Sequence, residues 1–189
     1  MKTLIGYQGD IGSNAEAAAE ELVRALGLKS GECEFVPLID SESVARALKD
    51  GTIKYGVMAT KNLIAGEVLE TKLALKKGGL KEVGAVTLPI HHCIFCKPGA
   101  DVAKLEYITS HPQALKQTRK TRGKLGLKLK ETEYRDTAIA ARDLSEGKLS
   151  ENHAVICRKN AGELYGLKLL YENIEDDKNN RTEFKLFEF

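Results

Sequence analysis

Short β-type runs alternate with helical runs along the chain, and several of the helical runs open on a polar cap and close on glycine. That alternation is the strongest constraint on the fold, because strand–helix–strand order favours a mainly parallel sheet covered by helices. Strands are expected over Thr3–Gly6, Cys33–Leu38 and Tyr55–Ala59. Helices are expected over Ala15–Ala25, stopped by Gly27, and over Ser43–Leu48, with Asp40 or Ser41 as cap and Gly51 as stop. A further helix is expected around Gly66–Leu73. The second half repeats the theme with strand-like runs over Val83–Phe95, Leu105–Thr109 and Ala154–Cys157, a short helix over Ala161–Tyr165, and a closing strand over Glu183–Phe189. Ser110-His111-Pro112-Gln113 opens another helix, with Ser110 and Gln113 at capping-box spacing and proline in the first turn. Asp136-Thr137 caps a helix over Ala138–Leu144, ended by Gly147. The polar run Glu172–Arg181 reads as a linker or lobe crossing, although such a run is also what a solvated loop looks like. Two α/β lobes joined by crossings are expected to hold a ligand cleft between them.

Size and charge narrow the function. The 189 residues make one large domain or two small lobes, and 42% apolar against 30% charged residues is enough to build a core. Lys plus Arg number 29 against 27 Asp plus Glu, so the net charge of +2 gives no strong field for nucleic acid or anionic lipid. No stretch reaches the roughly 18 to 20 apolar residues that span a bilayer. The start, MKTLIGYQGDIGS, reads as a first strand rather than a signal peptide, so the cytoplasm is the expected location. Cys33, Cys93, Cys96 and Cys157 are then expected to be reduced, and the Asn180-Arg181-Thr182 sequon carries no glycan.

Three motifs invite chemistry. Gly6-Tyr7-Gln8-Gly9-Asp10-Ile11-Gly12 before a helix could seat an anion or simply make a tight turn; it matches neither the dinucleotide fingerprint nor the P-loop. His91-His92-Cys93-Ile94-Phe95-Cys96 suggests a metal, yet strand alternation sends His91, Cys93 and Phe95 to one face and His92, Ile94 and Cys96 to the other. No metal is expected there. Gln113 and Gln117 lie four apart on one helix, a face able to present amide donors to a carboxylate near the positive end of the helix dipole.

Together these segments resemble the prephenate dehydratase domain nearly end to end. The matching stretches are Tyr7-Gln8-Gly9 to Ala19, Gly56-Val57 through Asn62 to Val68, Leu88 to Cys93, and Ser110-His111-Pro112-Gln113-Ala114-Leu115-Lys116-Gln117. Asp136-Thr137-Ala138, Ala154 to Leu167, Asn173 to Asp176 and Asn180-Arg181-Thr182-Glu183-Phe184 complete the series. The resemblance implies a two-lobed, type II periplasmic-binding-protein-like α/β fold. Its lobes are expected over 1–86 with 172–189 and over 87–171. It implies conversion of prephenate to phenylpyruvate with loss of water and carbon dioxide, no cofactor, a small acid as the only partner, and a possible homodimer. Thr182 maps onto the threonine that assists loss of the hydroxyl. Asn62, Ser110, Gln113, Gln117, Thr137 and Ser13 map onto positions near substrate.

Several positions depart from the family pattern. Glu183 replaces an arginine, Lys61 a glutamate, and Leu63 and Ala15 serines, and the regulatory ACT domain usual in the family is not expected here. Loss of an arginine that grips a carboxylate would cost roughly 10- to 100-fold in affinity. The double sign reversal instead fits an ion pair between Lys61 and Glu183 across the cleft. Two alternatives stay open: a module that binds an aromatic acid or amino acid without turnover, and a sister lyase acting on a prephenate-like acid.

Overall fold

The computed structural model describes residues 2–189, the side chain of Ser30 excepted; Met1, in the expected first lobe, lies outside the described residues. The chain forms two compact units, one running to Pro89 and resuming over Arg181–Phe189, the other Ile90–Asn180. The run 172–180, expected in the first lobe, therefore belongs to the second. Ile174 and Glu175 are buried there, and the main-chain N–H of Ile174 donates to the carbonyl of His92 at 2.9 Å.

The first unit is built on β1 (Thr3–Tyr7), α1 (Asn14–Ala25), β2 (Cys33–Pro37), α2 (Ser41–Lys49), β3 (Tyr55–Asn62), β4 (Gly66–Glu67), α3 (Leu69–Lys76) and β5 (Lys81–Pro89). Its sheet order is β2-β1-β3, then the closing strand Arg181–Glu188, then β5, with β4 paired to the outer end of β3. β1 is parallel to β2 and β3, whereas the closing strand runs antiparallel to β3 and β5. Gly6 and Gly56 face each other on β1 and β3. A Cβ on Gly56 would meet Val44 at 2.6 Å, and one on Gly6 would meet Ile53 at 2.5 Å, so these glycines let α2 and the following turn pack against the sheet. β3 extends three residues past its expected end. The helix expected around Gly66–Leu73 begins later, because Gly66–Glu67 folds back on Lys61 and Asn62 as β4.

The second unit comprises β6 (Cys93–Cys96), β7 (Tyr107–Ser110), α4 (Pro112–Lys124), β8 (Lys130–Glu133), α5 (Thr137–Ser145), β9 (His153–Cys157), α6 (Lys159–Leu164) and β10 (Lys168–Tyr171); the closing strand of the first unit is β11. Strand order is β10-β6-β9-β7-β8. The expected alternation of 93–96 is present, but both faces are covered. Cys93 and Phe95 pack with Val155, Cys157 and the alanines of α5. Ile94 packs with Ile108, Ile156 and Leu115 of α4. β8 and β10 escape a pattern search because their burial is partial and their residues are mostly polar or alternate irregularly. No described helix is long and apolar enough to cross a membrane.

Candidate functional site

In the first unit the candidate chemistry lies where β11 meets β3. Thr182 stands opposite Asn62 in the register. The Asn62 amide nitrogen donates to Thr182 Oγ1 at 2.9 Å and to the Arg181 carbonyl at 3.0 Å, while its oxygen accepts the N–H groups of Ile64 and Ala65 at 3.1 and 2.9 Å. Asn62 thus organises the turn that follows β3 and fixes the threonine hydroxyl from one side. Thr182 is only 8% exposed, yet its hydroxyl acts as an acceptor in this pair. No acceptor for its own proton is found among the described residues.

The neighbouring charges do not form the expected ion pair across a cleft. Lys61 and Glu183 are direct neighbours on adjacent strands of one sheet, where Thr60 is the extra residue of a β-bulge. Glu183 Oε1 accepts the Thr60 hydroxyl at 2.7 Å and has Lys185 Nζ at 3.9 Å. Glu67, the other residue opposite Lys61, is taken by Lys72 at 2.6 Å. Thr60, Lys185 and Phe187 line an open groove of about 400 Å³ beneath α3, on the face of β11 opposite Thr182.

Ser13, expected near substrate, is the N-cap of α1. Its Oγ accepts the Glu16 N–H at 3.3 Å, while the Glu16 carboxylate accepts the Gly12 N–H at 2.6 Å and the Tyr7 hydroxyl at 3.2 Å. The glycine turn holds its own carboxylate where an anion was considered, with Ser13-x-x-Glu16 at capping-box spacing but Glu16 reaching the N–H one residue before the cap.

In the second unit the expected capping pair at 110–113 is absent. Ser110 is the last residue of β7, fully buried, and its hydroxyl donates to the Ile156 carbonyl at 2.6 Å. His111 caps α4 instead, accepting the Gln113 N–H at Nδ1. The half-buried Gln113 side chain in the first turn has no protein partner among the described residues. Thr137 likewise opens α5 half-buried, just after the N-cap Asp136, whose carboxylate accepts the N–H groups of Ala138 and Ile139.

Gln117 does not share Gln113's surroundings. It is buried, and its oxygen accepts from His92 Nε2 at 3.0 Å and from Asn180 Nδ2 at 2.9 Å. Burial pushes the His92 imidazole below its usual pKa, more than the bond to Gln117 and the charge of Glu175 raise it. Glu175, 1% exposed at its side chain, accepts the His92 N–H at 3.0 Å and faces His91 Nδ1 at 3.1 Å and Lys178. Burial opposes its ionisation, but these hydrogen bonds outweigh burial and hold its carboxyl below the usual range. The Asp176 carboxylate accepts the N–H groups of Lys120 and Thr121, and its own N–H donates to the Gln117 carbonyl at 2.7 Å. His92 and Asn180 are the residues that sequence reasoning passed over as site components. The signal at His92 was a polar side chain beside a strand-forming segment, whereas Asn180 stood in a polar run and gave none.

The four cysteines are free and buried, and burial raises the Cys93, Cys96 and Cys157 thiols. Among the described residues no group of three or more His, Cys, Asp or Glu side chains is placed to hold a metal ion.

The two units have the architecture of the two-lobed, periplasmic-binding-protein-like α/β class, which extends to periplasmic substrate-binding proteins. The prephenate dehydratase family model matches residues 5–188, and the chain belongs to that family. Arogenate dehydratase 1 of Petunia hybrida is 36% identical over 180 residues, covering 95% of this chain and 41% of the plant protein. The chain therefore spans about four-tenths of the length of that relative. The crystal structure of a prephenate dehydratase with L-Phe from Arthrobacter aurescens shares the fold, with a TM-score of 0.84, 23% identity, and coverage of 98% of this chain and 60% of the other. A structure described as a quorum-quenching acylase, GqqA, does so with a TM-score of 0.78, 29% identity, and coverage of 98% and 63%. Fold alone therefore does not fix the reaction.

Proposed function

We propose that the chain is a dehydratase that removes water and carbon dioxide from prephenate, or from its amino analogue arogenate, in phenylalanine biosynthesis. The single observation that carries this reading is the Thr182 hydroxyl, which accepts from Asn62 and so keeps its proton for a ligand oxygen. As the ring C–O bond breaks, that hydroxyl hydrogen-bonds the departing oxygen, which takes up a proton supplied by solvent and leaves as water. The bond from the ring to its carboxylate breaks, its electron pair completes the aromatic ring, and carbon dioxide departs. No cofactor is required by this electron flow. Gln113 and Thr137 are the polar groups of the second unit that we assign to orienting the acid, with Gln117 held ready by its buried partners.

Incubating the purified chain with each acid tests the reading. Phenylpyruvate from prephenate or phenylalanine from arogenate is the expected product. Binding without turnover would overturn it in favour of a non-catalytic binder, and a non-aromatic keto acid in favour of a sister lyase.

A cytoplasmic location follows for this reading from four buried, unpaired cysteines, although several plant relatives are named as chloroplastic. A homodimer is the expected assembly. Leu63, Ile64, Leu69 and Leu73 stand exposed on the turn after β3 and on α3, and sedimentation at micromolar concentration checks for it.

A further inference from the structure

The strand that carries Asn62 changes register just before reaching it. Phe184 of β11 lies opposite Ala59 of β3, and Glu183 lies opposite Lys61, so Thr60 is an extra residue. In an unbroken ladder, the pairing of Phe184 with Ala59 would set Thr60 opposite Glu183, Lys61 opposite Thr182 and Asn62 opposite Arg181. A slip of one residue moves every side chain beyond it to the other face. Asn62 would then share the face of Glu183 and Lys185, while Thr182 stays on the face of Phe184. The bulge is therefore what brings the Asn62 amide to the threonine hydroxyl. The amide itself has one orientation, because its oxygen accepts the main-chain N–H groups of Ile64 and Ala65, which can only donate.

A bulge disrupts the ladder locally, and the main-chain groups it frees need other partners. Here the Ala59 N–H donates to Gln8 Oε1 at 3.1 Å, and the Ala59 carbonyl accepts the Thr71 hydroxyl at 2.6 Å. The Thr60 carbonyl accepts the Val68 N–H at 2.9 Å. Gln8 is steadied in turn by Glu70, which accepts from its Nε2 at 3.3 Å and from the Ser41 N–H at 2.6 Å. The Thr60 hydroxyl donates to Glu183 Oε1 at 2.7 Å and lies 3.3 Å from the Glu183 carbonyl oxygen. That contact ties the extra residue directly to the residue it opposes.

We infer that Thr60 and Glu183 are positioning residues, whose hydrogen bond holds the β3 bulge that sets the Asn62 amide against the Thr182 hydroxyl. Neither need touch the ligand. Glu183, which stands where the family pattern has an arginine, thus serves the reaction through the strand rather than by gripping the acid. The bond needs a hydroxyl at 60 and an acceptor at 183, and it does not need a charge. Because Thr182 acts on the departing oxygen, a loosened bulge lowers kcat more than it raises KM.

The inference rests on the dehydratase reading for its kinetic arm, and a ligand-free arm separates the two. In the kinetic arm, Thr60→Val and Glu183→Ala remove the two sides of the bond, so failure of one variant to fold leaves the other to decide. Each is expected to lower kcat roughly fivefold with KM changed less than about twofold. The double variant should lose no more than either single one, since the same bond is gone in all three. Thr60→Ser and Glu183→Gln keep donor and acceptor and should recover most of the loss. Wild-type kcat in folded Thr60→Val and Glu183→Ala would overturn the inference, as would equal losses in the valine and serine variants. In the ligand-free arm, NMR of the intact chain follows the Asn62 side-chain amide and its proton contacts with Thr182. One amide environment with those contacts is expected in the wild type and in Thr60→Ser, and weakened contacts or split signals in Thr60→Val and Glu183→Ala. Unchanged contacts in both of the latter overturn the brace even if the chain turns over substrate. A wild type with the expected NMR behaviour but no turnover would overturn the dehydratase reading alone.

Discussion

Two amide side chains, Asn62 in the first unit and Gln117 in the second, play opposite parts. Asn62 uses both its donors and both acceptor positions on its surroundings and thereby leaves the Thr182 proton unused. Gln117 is the one acted upon, its oxygen gathered by His92 and Asn180. Amides at two motif positions can thus serve the surrounding main chain in one case and be held by buried side chains in the other. Groups committed to the protein should affect stability. Groups with an unused proton should affect turnover.

The largest expected separation is at Thr182. Thr182→Val keeps shape and removes the donor, so turnover should fall roughly 10²- to 10⁴-fold while the thermal midpoint changes little. Asn62→Ala should lower turnover by a smaller factor and also destabilise the turn after β3. Adding it to Thr182→Val should cost little further turnover, because both changes break one arrangement. Steady-state kinetics with calorimetry read all three.

Next come two committed groups. Glu131 pairs with Arg119 through two bonds, at 3.2 and 2.7 Å, and with the buried Arg122 at 2.5 Å; the Arg119 bond leads in holding its carboxyl at about 2 against 4.5 ordinarily. Glu131→Gln should cost about 2 to 3 kcal/mol by leaving Arg122 underpaired, with kcat/KM unchanged. Because the folded value is the lower one, this stabilisation is complete above about 4.5 and is lost as pH falls from there toward 2. Ser110→Ala should cost about 1 kcal/mol by leaving the Ile156 carbonyl without its donor, and leave kcat/KM within roughly threefold. A large loss of activity with unchanged stability at Ser110 would break the distinction.

His92 gives a subtler pH effect. Its folded pKa lies below the 6.5 of an unfolded histidine, so the unfolded chain takes up the proton first. The thermal midpoint should therefore decline as pH falls below about 6.5, and His92→Gln should flatten that part of the curve. The smallest effect belongs to Glu183. A double-mutant cycle between Thr60 and Glu183 should show coupling of about 1 kcal/mol, and one between Lys61 and Glu183 close to none.

Much of the fold was legible because caps, glycine stops and alternation are local signals. Asp40, Asp136, Gly27 and Gly147 stand where helices begin and end as expected. β8 and β10 were not legible, since Lys130–Glu133 and Lys168–Tyr171 take their strand form from neighbours rather than from their own residues. The site divided in the same way. Thr182 and Asn62 were each picked out through the resemblance, but their shared register position and the direction of their bond were not legible. At 110–113 the capping-box spacing was present but the strand continued one residue further, turning Ser110 inward and passing the cap to His111. The hydrogen bonds of Gln117 join residues 92, 117 and 180, and no local pattern reports a contact between positions so far apart in the chain.

The central claim concerns one proton on one side chain. Wild-type chain and Thr182→Val should be compared at equal concentration with prephenate and with arogenate near neutral pH, the aromatic product being quantified over time against a protein-free control. Aromatic product from the wild type, and a variant that is folded yet at least 100-fold slower, is the expected result. Equal rates in the two proteins, or a wild type no faster than the control, would contradict the account.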